Sequence, residues 1–509
     1  MKAAPEVSWR LEDGAGGADI DAALAPRFAT EWREPAVTAR VCYDDADATL
    51  WHAGCVLFGS DPGGLCLLRD GEPVAESPPP AGERLFWWDV PEGALRAALR
   101  PLVGVRALLP VATHEVSRHE LLLQNQDRKT VVRGSLTRSV VDGQCLQYLT
   151  LTPMRGYDDE FESASRGVRQ LVHALADVDL QTLLAGHRIA AFAAARVAPM
   201  PIADGMPTEQ AVRAMAHVML EQAQRHVDGV VRDIDTEFLH AYRVSLRKAR
   251  SLVSLMKKSL PEAALDTLKP RLSRMAGTTN ALRDLDVYLL AHHEYAALLP
   301  AGFAPGMDEL TALVRARRAQ AHAQVAAYFA SPAYRDDVDA CLAELALPPV
   351  LATPMAARPV LGVVKRQVLR RYAAIEALAA AINPESADDD VHALRIEFKK
   401  LRYLIEFFID LLPKKRSMKV VADFKKIQGV LGAFNDLSVQ IDFLEGFQDP
   451  RRGAMTQALG GLTAILHMKK TDVRARIGDA LAAYFTENRA IEFGLLFGAR
   501  QRDKRGTVQ

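Results

Sequence analysis

The segment Phe238-Leu-His-Ala-Tyr-Arg-Val-Ser-Leu-Arg-Lys-Ala-Arg250 recurs, without a gap, as Asp390-Val-His-Ala-Leu-Arg-Ile-Glu-Phe-Lys-Lys-Leu-Arg402, an offset of 152 residues. The same offset carries Gly277-x-x-Asn-x-x-Arg283-Asp284-Leu onto Gly429-x-x-Gly-x-x-Asn435-Asp436-Leu, and pairs Arg213 with Lys365, Arg317 with Lys469 and Arg318 with Lys470. A register that holds over so long a stretch requires two copies of one multi-helix unit, packed as a pseudo-twofold pair. Few folds satisfy that constraint.

On a helix of about 100° per residue, His240, Arg243, Arg247 and Arg250 share one narrow face. The adjoining arc carries Leu239, Tyr242, Leu246, Ala249, Val253 and Met256, a core face beside a basic stripe. The second copy repeats this with His392, Arg395, Lys399 and Arg402 beside Leu394, Phe398, Leu401, Ile405 and Phe408. Each stripe runs ~15 Å at the rise of an α-helix. Two stripes about a dyad would form a basic groove whose guanidinium forks and ammonium groups suit a linear chain of phosphates. A single stripe of this kind is ordinarily a solvated helix face; its recurrence with few acids among the cations favours an anion site. Lys248 and Lys400 extend the two stripes, and the helices carrying Arg315, Arg317, Arg318 and His467, Lys469, Lys470 offer a further wall, as do Arg366, Arg370 and Arg371. Asp284 and Asp436, at matching places, read as carboxylates that orient an arginine, with a metal site as the rival reading.

The rest of the chain differs in texture. Residues 1–206 hold 20 Lys+Arg against 28 Asp+Glu, so the zero net charge of all 509 residues hides a basic C-terminal part. Up to about residue 150, short strands are expected at 37–43, 54–59, 65–69, 85–89, 120–124, 130–136 and 145–151, separated by turn formers such as Asp61-Pro-Gly-Gly64. Helices are expected at 92–102 and 158–175. The proline-rich stretch 199–207 separates this region from long amphipathic helices. The five cysteines show no CxxC pairing and read as reduced thiols. Met1-Lys-Ala-Ala-Pro-Glu6 does not open a signal peptide, and the most apolar run, 189–198, is too short to span a bilayer. A cytoplasmic protein is the expectation.

The duplicated His-x-x-Arg-x-x-x-[Arg/Lys]-Lys-x-Arg helix, with the later Arg283-Asp-Leu-Asp286 and Asn435-Asp-Leu-Ser438, resembles the CHAD domain, the conserved-histidine α-helical domain. The resemblance implies two four-helix bundles about a pseudo-twofold axis, with a basic central surface that binds inorganic polyphosphate; some members sit on polyphosphate granules. Carried onto this chain it implies phosphate contacts from His240, Arg243, Arg247, Lys248, Arg250, His392, Arg395, Lys399, Lys400 and Arg402. Arg317, Arg318, Lys469 and Lys470 form the added wall. Asn435 in place of Arg283 makes the halves unequal.

CHAD domains often follow a CYTH domain, a triphosphate tunnel, and the N-terminal strand rhythm, with the segment 39–54, is similar to that family. Its Glu-x-Glu-x-Lys signature here reads Glu6-Val-Ser-Trp-Arg10, and its late acidic strand reads Gln147-Tyr-Leu-Thr-Leu151. Two-metal phosphoryl chemistry needs several carboxylates, so the resemblance implies a degenerate tunnel without catalysis. The whole reads as an α+β multidomain chain: an antiparallel β-barrel-like domain at 1–198, a linker at 199–207, an all-α domain at 208–495 (copies at about 208–345 and 358–495) and a basic tail at 496–509. No cofactor is expected. The alternative is a metal-dependent triphosphatase or nucleotidyl cyclase, which phosphate release lost in Glu6→Ala would support. Nucleic acid ranks below polyphosphate as a partner, because the stripes lack interleaved aromatics.

Overall fold

The computed structural model describes residues 7–11, 15–60, 64–69, 72–78, 84–141, 144–174, 200–383 and 385–498. They fall into two units, Met1–Ala198 and Pro199–Gln509. Glu6, the apolar run 189–198 and the tail beyond 498 lie outside the described residues.

In the first unit, alternating apolar and polar residues build strands β1 (Val7–Leu11), β2 (Ala29–Trp32), β3 (Ala36–Asp44), β4 (Cys55–Ser60), β5 (Gly64–Arg69), β6 (Glu72–Ser77), β7 (Leu109–Gln124), β8 (Thr130–Val141), β9 (Gln144–Pro153) and β10 (Val172–Ala174). All pair antiparallel in the order β10-β1-β9-β8-β7-β3-β4-β5-β6, with β2 on β7. Among the described residues this is an open path, so the barrel-like closure expected from the sequence gives way to an open sheet. Alternation fixes which face each residue takes, whereas closure depends on tilt and stagger that it does not encode. The expected strand at 85–89 is reduced to a bridge, Leu85 to Leu108, before a turn in which Asp89 accepts from the Phe86 amide. The expected helix from 158 ends at Val168, and the chain returns to the sheet as β10.

Leu121, Leu123, Val131, Leu149 and Leu151 bury one sheet face under Ile20 and Leu24 of helix Gly17–Leu24 and Ala164 and Val168 of helix Asp158–Val168. Asp44 ends β3 and accepts from the backbone amides of Asp45, Leu50 and Trp51. Burial pushes its carboxyl up to about 6 against those hydrogen bonds. That aspartate, prominent in the segment similar to the CYTH family, caps a local turn and the short helix Thr49–His52.

The second unit is all helical among its described residues, and the 152-residue offset relates its elements. Thr208–Gln224 matches Val360–Ala381, and the His240 helix (Thr236–Leu255) matches the His392 helix (Asp388–Phe407). Glu262–Thr278 plus Asn280–Ala297 match the unbroken Lys414–Glu445, and Ala304–Ala330 matches Gly453–Tyr484. Shorter helices, Pro332–Ala346 and Glu487–Phe497, close each copy. Helix starts have local causes. Asp235 accepts from the Glu237 and Phe238 amides, while Asp388, Asp389 and Asp390 fill the first turn of the His392 helix, where carboxylates complement the exposed amides.

The copies meet about a pseudo-dyad. Thr208 N donates to Arg358 O at 2.9 Å and Val360 N to Met206 O at 3.0 Å; these bonds interchange under the offset, as an isologous contact requires. The two His helices pack on each other, and so do Ala304–Ala330 and Gly453–Tyr484. Leu239, Tyr242, Leu246, Ala249, Val253 and Met256 are buried, as are Leu394, Phe398, Leu401, Ile405 and Phe408, so the core faces expected from periodicity are realised.

At the second crossing Gly306 lies so close to the partner helix that a Cβ would run into the Ala454 carbonyl oxygen and Ala458. Gly306→Ala is therefore expected to destabilise the second unit by ~2 kcal/mol through overpacking, read as a lower midpoint in denaturant; an unchanged midpoint would mean that the crossing relaxes freely.

Candidate functional site

Where the two His helices cross, a cavity of about 650 Å³ opens. Arg247, Arg250, Lys257 and Lys269 of the first copy and Arg371, Lys399 and Lys400 of the second line it, together with serines, apolar residues and Tyr403, and no Asp or Glu is among the lining residues. Arg247 and Lys399 are counterparts under the repeat, so the pseudo-dyad brings like charges together. Burial first, then Arg247, Arg395 and Arg402, lowers the Lys399 ammonium to about 8, with Asp436 opposing. Glu397, just outside, holds Arg371 at 2.8 Å and Lys400 at 2.7 Å. The Nε atoms of Arg247, Arg371 and Arg402 and Nη1 of Arg283 are buried without a hydrogen-bond partner. Buried donors are nearly always satisfied in folded proteins; Arg247 and Arg371 bring two such atoms to the lining of this cavity, which suits a multidentate anion.

A second cavity, about 470 Å³, shares Arg247 with the first and is lined by His240, Arg243, Arg283, Asp284 and Asp436, with apolar and aromatic side chains. Arg243 Nη1 is pinned by Thr279 Oγ1 at 2.7 Å, Asn280 Oδ1 at 2.9 Å and Ala276 O at 3.2 Å, at the break between helices Glu262–Thr278 and Asn280–Ala297. Burial lowers the Arg243 guanidinium from its ordinary value, opposed by Asp284 and aided by Arg247 and Arg283. Burial raises the Asp284 carboxyl against the pull of Arg243 and Arg283. A third cavity, about 350 Å³, belongs to the second copy: His392, Asn435 and Lys470 face Asp388, Asp389 and Asp442 there. His392 Nδ1 contacts Asn435 Oδ1 at 2.7 Å, and Arg395 lies 3.6 Å from Asp436.

The residues singled out in the sequence thus divide. Arg247, Arg250, Lys399 and Lys400 converge on the cationic cavity. His240 and Arg243 line the mixed one, and His392 the acidic one. Lys248 lines none of these three. Arg402 stacks over Tyr403 at 5.3 Å and lies 3.8 Å from Glu406. Of the further wall, Arg371 joins the cationic cavity, whereas Arg315, Arg317, Arg318, Arg366, Arg370, His467, Lys469 and Lys470 are not among its lining residues. Arg318 is held by Asp233 at 2.5 and 2.6 Å and by Asp286 at 2.8 Å, Arg317 stacks over Phe447 at 4.1 Å, and Lys470 pairs with Asp388 at 2.6 Å. Lys469 is exposed and lines none of the three cavities. Asp284 and Asp436 do sit beside arginines. Arg213, buried, pairs with Glu209 at 2.9 Å and Glu344 at 3.1 Å.

Lys257 and Lys269 escaped the sequence reading because their counterparts under the offset are Ile409 and Val421; repetition finds only what both copies retain. The first unit holds a separate cavity of about 360 Å³ lined by Arg33, Arg118, Glu120, Arg133, Ser135, Thr150 and Thr152. Where the CYTH signature has an acid, Ser8 Oγ shares a hydrogen bond with Thr150 Oγ1 at 2.8 Å. Among the described residues no group of three or more His, Cys, Asp or Glu could hold a metal ion, and no helix is long and apolar enough to cross a membrane.

Residues 214–445 match the family model of the CHAD domain. Among solved structures, the chain is similar to the crystal structure of the CHAD domain from the plant Ricinus communis, with 26% identity, a TM-score of 0.47, and coverage of 57% of this chain and 96% of that one. It is also similar to PptA from Streptomyces chartreusis, with 18% identity, a TM-score of 0.42, and coverage of 54% of this chain and 100% of that one. No curated protein matches.

Two outcomes follow from the charges. Lys399 binds its proton less tightly folded than unfolded, so its charged form costs stability below about pH 8, and stability returns as pH climbs toward the ordinary value of 10.5. Lys399→Met should therefore raise the melting temperature at pH 7, by an amount that shrinks toward pH 10; a pH-independent difference would contradict the buried-cation account. Arg318→Met leaves Asp286, 1% exposed, without its ion pair and should cost about 3 kcal/mol in chemical denaturation, while leaving any anion binding at the cationic cavity intact.

Proposed function

Because the chain carries a CHAD domain at residues 214–445, we propose that it binds inorganic polyphosphate in a basic groove at the pseudo-dyad and acts as a binding protein. One observation supports this above the others: seven cationic side chains from both copies line one cavity without a lining carboxylate. An isolated surface cation is well solvated and needs no partner. A cluster in which burial first, and neighbouring arginines second, lower Lys399 to about 8, and in which guanidinium nitrogens are unsatisfied, gains from a ligand that brings several negative charges at once. Successive phosphates of a linear chain do this. Arg247 and Arg250, one turn apart on the His240 helix, and Lys399 and Lys400 on the His392 helix offer point or bidentate contacts to neighbouring phosphate oxygens.

In the first unit, Ser8 and Thr150 bond each other where triphosphate-tunnel enzymes use carboxylates, which favours binding over hydrolysis there. A polyphosphate receptor of this kind would collect wherever the polymer is concentrated, including polyphosphate granules.

Calorimetric titration of the full chain with medium-chain polyphosphate, at two salt concentrations, tests the reading. Binding should weaken steeply with salt, since each neutralised phosphate releases counterions. Replacing Arg247, Arg250, Lys269 and Lys399 together by Gln should lower affinity at least about a hundredfold, ~2.7 kcal/mol, with helix content retained, and RNA should bind more weakly than polyphosphate. Absence of binding at low salt, or full retention in the fourfold variant, would remove the assignment.

A further inference from the structure

The mixed cavity combines features that a bare phosphate chain does not need. On one side stand Arg243, Arg247 and Arg283, the last with a buried Nη1 that has no hydrogen-bond partner. On the other is an apolar and aromatic wall: Tyr288, Tyr295, Phe443 and Leu444, with Val287 and Val439 at its exposed edge. Tyr288 stacks on Tyr295 with ring centroids 5.5 Å apart and lies 5.8 Å from Phe443. Val287 and Val439, counterparts under the repeat, are 37% and 51% exposed. Asp284 and Asp436 complete the lining.

Each element restricts the ligand. The three guanidinium groups call for a phosphate. The carboxylates would repel a second run of anions but accept from neutral hydroxyl or amino groups. The wall gains only from a ligand with an apolar or flat face. Polyphosphate has the first property alone, and a lipid tail would leave both carboxylates unanswered. A nucleoside phosphate has all three, and about 470 Å³ lies within the usual range of small-molecule sites, ~300–1,000 Å³.

Among the described residues the second copy does not repeat the arrangement. The counterparts of Arg283 and Tyr288 are Asn435 and Gln440, and the second copy's cavity is lined by Asp388, Asp389 and Asp442 instead.

We propose that the cavity between helices Asn280–Ala297 and Lys414–Glu445 binds a nucleotide, its phosphates on Arg243, Arg247 and Arg283 and its base against the Val287–Val439–Phe443 wall. The proposal rests on the polyphosphate reading to the extent that Arg247 serves both cavities. A nucleotide with two or three phosphates would reach from the aromatic wall toward the cationic cavity and compete there with the polymer.

Titration of the full chain with ATP, tripolyphosphate and adenosine separates the contributions. ATP should bind at least about tenfold more tightly than tripolyphosphate, adenosine weakly, and polyphosphate should displace ATP. Val439→Glu, at an exposed position that does not line the cationic cavity, should weaken ATP about tenfold or more while polyphosphate affinity stays within about twofold; Val287→Glu provides a second test of the same wall. The inference is overturned if ATP binds no more tightly than tripolyphosphate, or if both valine variants bind ATP as the parent chain does. ATP binding that survives when polyphosphate fails to bind would instead overturn the groove and leave this site standing.

Discussion

The second unit depends on the crossing of the His240 and His392 helices at the pseudo-dyad. Each helix has an apolar face that must be buried, and each large apolar side chain buried there contributes about 2 kcal/mol. Burying Tyr242, Leu246 and Val253 in one copy, and Phe398, Leu401 and Ile405 in the other, fixes the rotation of both helices. The neighbouring stripes then have no freedom to turn away, and Arg247 and Lys399 are brought near each other. The apolar faces can impose this because the cations are only partly buried, so water screens much of their repulsion. What remains adds to burial, the larger cause, in lowering the Lys399 ammonium. The site is thus a by-product of the core: the residues that make the fold also aim the charges.

That coupling explains what the sequence reveals and what it hides. The period of 3.6 shows which side of each His helix is apolar, and every core position read from it is buried. The offset shows that two copies exist, and the reciprocal bonds Thr208 to Arg358 and Val360 to Met206 lie at positions related by it. Periodicity does not reveal which cations are already engaged. Arg318 looks like Arg247 in a helical projection, yet Asp233 and Asp286 arrive from other elements to hold it. Nor does repetition reveal Lys257 or Lys269. In the first unit, short runs between turn formers located most strands but not the openness of the sheet, because edge pairing depends on strands far apart in the chain.

Duplication would by itself give a site with twofold symmetry, and divergence has removed it. The cationic, mixed and acidic cavities are linked by shared residues: Arg247 lines the first two and Val439 the last two. Lining charge changes along the run, from cations alone, through arginines with Asp284 and Asp436, to a set dominated by Asp388, Asp389 and Asp442. An anion near the dyad therefore meets a graded field. On the His392 side, Asn435 replaces an arginine and engages His392.

The same gradient bears on how stability and binding are linked. The cationic cavity carries two costs, the burial of Lys399 among like charges such as Arg247, and guanidinium nitrogens without partners. A polyanion offsets both at once, whereas a neutral ligand offsets neither. Binding to the folded chain alone stabilises it by about 2.7 kcal/mol at a ligand concentration a hundred times Kd. For the proposed polyanion that gain would arise at the contact between the copies, since the lining cations come from both. The proposed binding and the adhesion of the two halves would then be one interaction viewed from two sides, and weakening the dyad at Gly306 or at the Thr208–Arg358 hydrogen bond should be felt as lost polyphosphate affinity in the calorimetric titration, although neither position lines the cationic cavity.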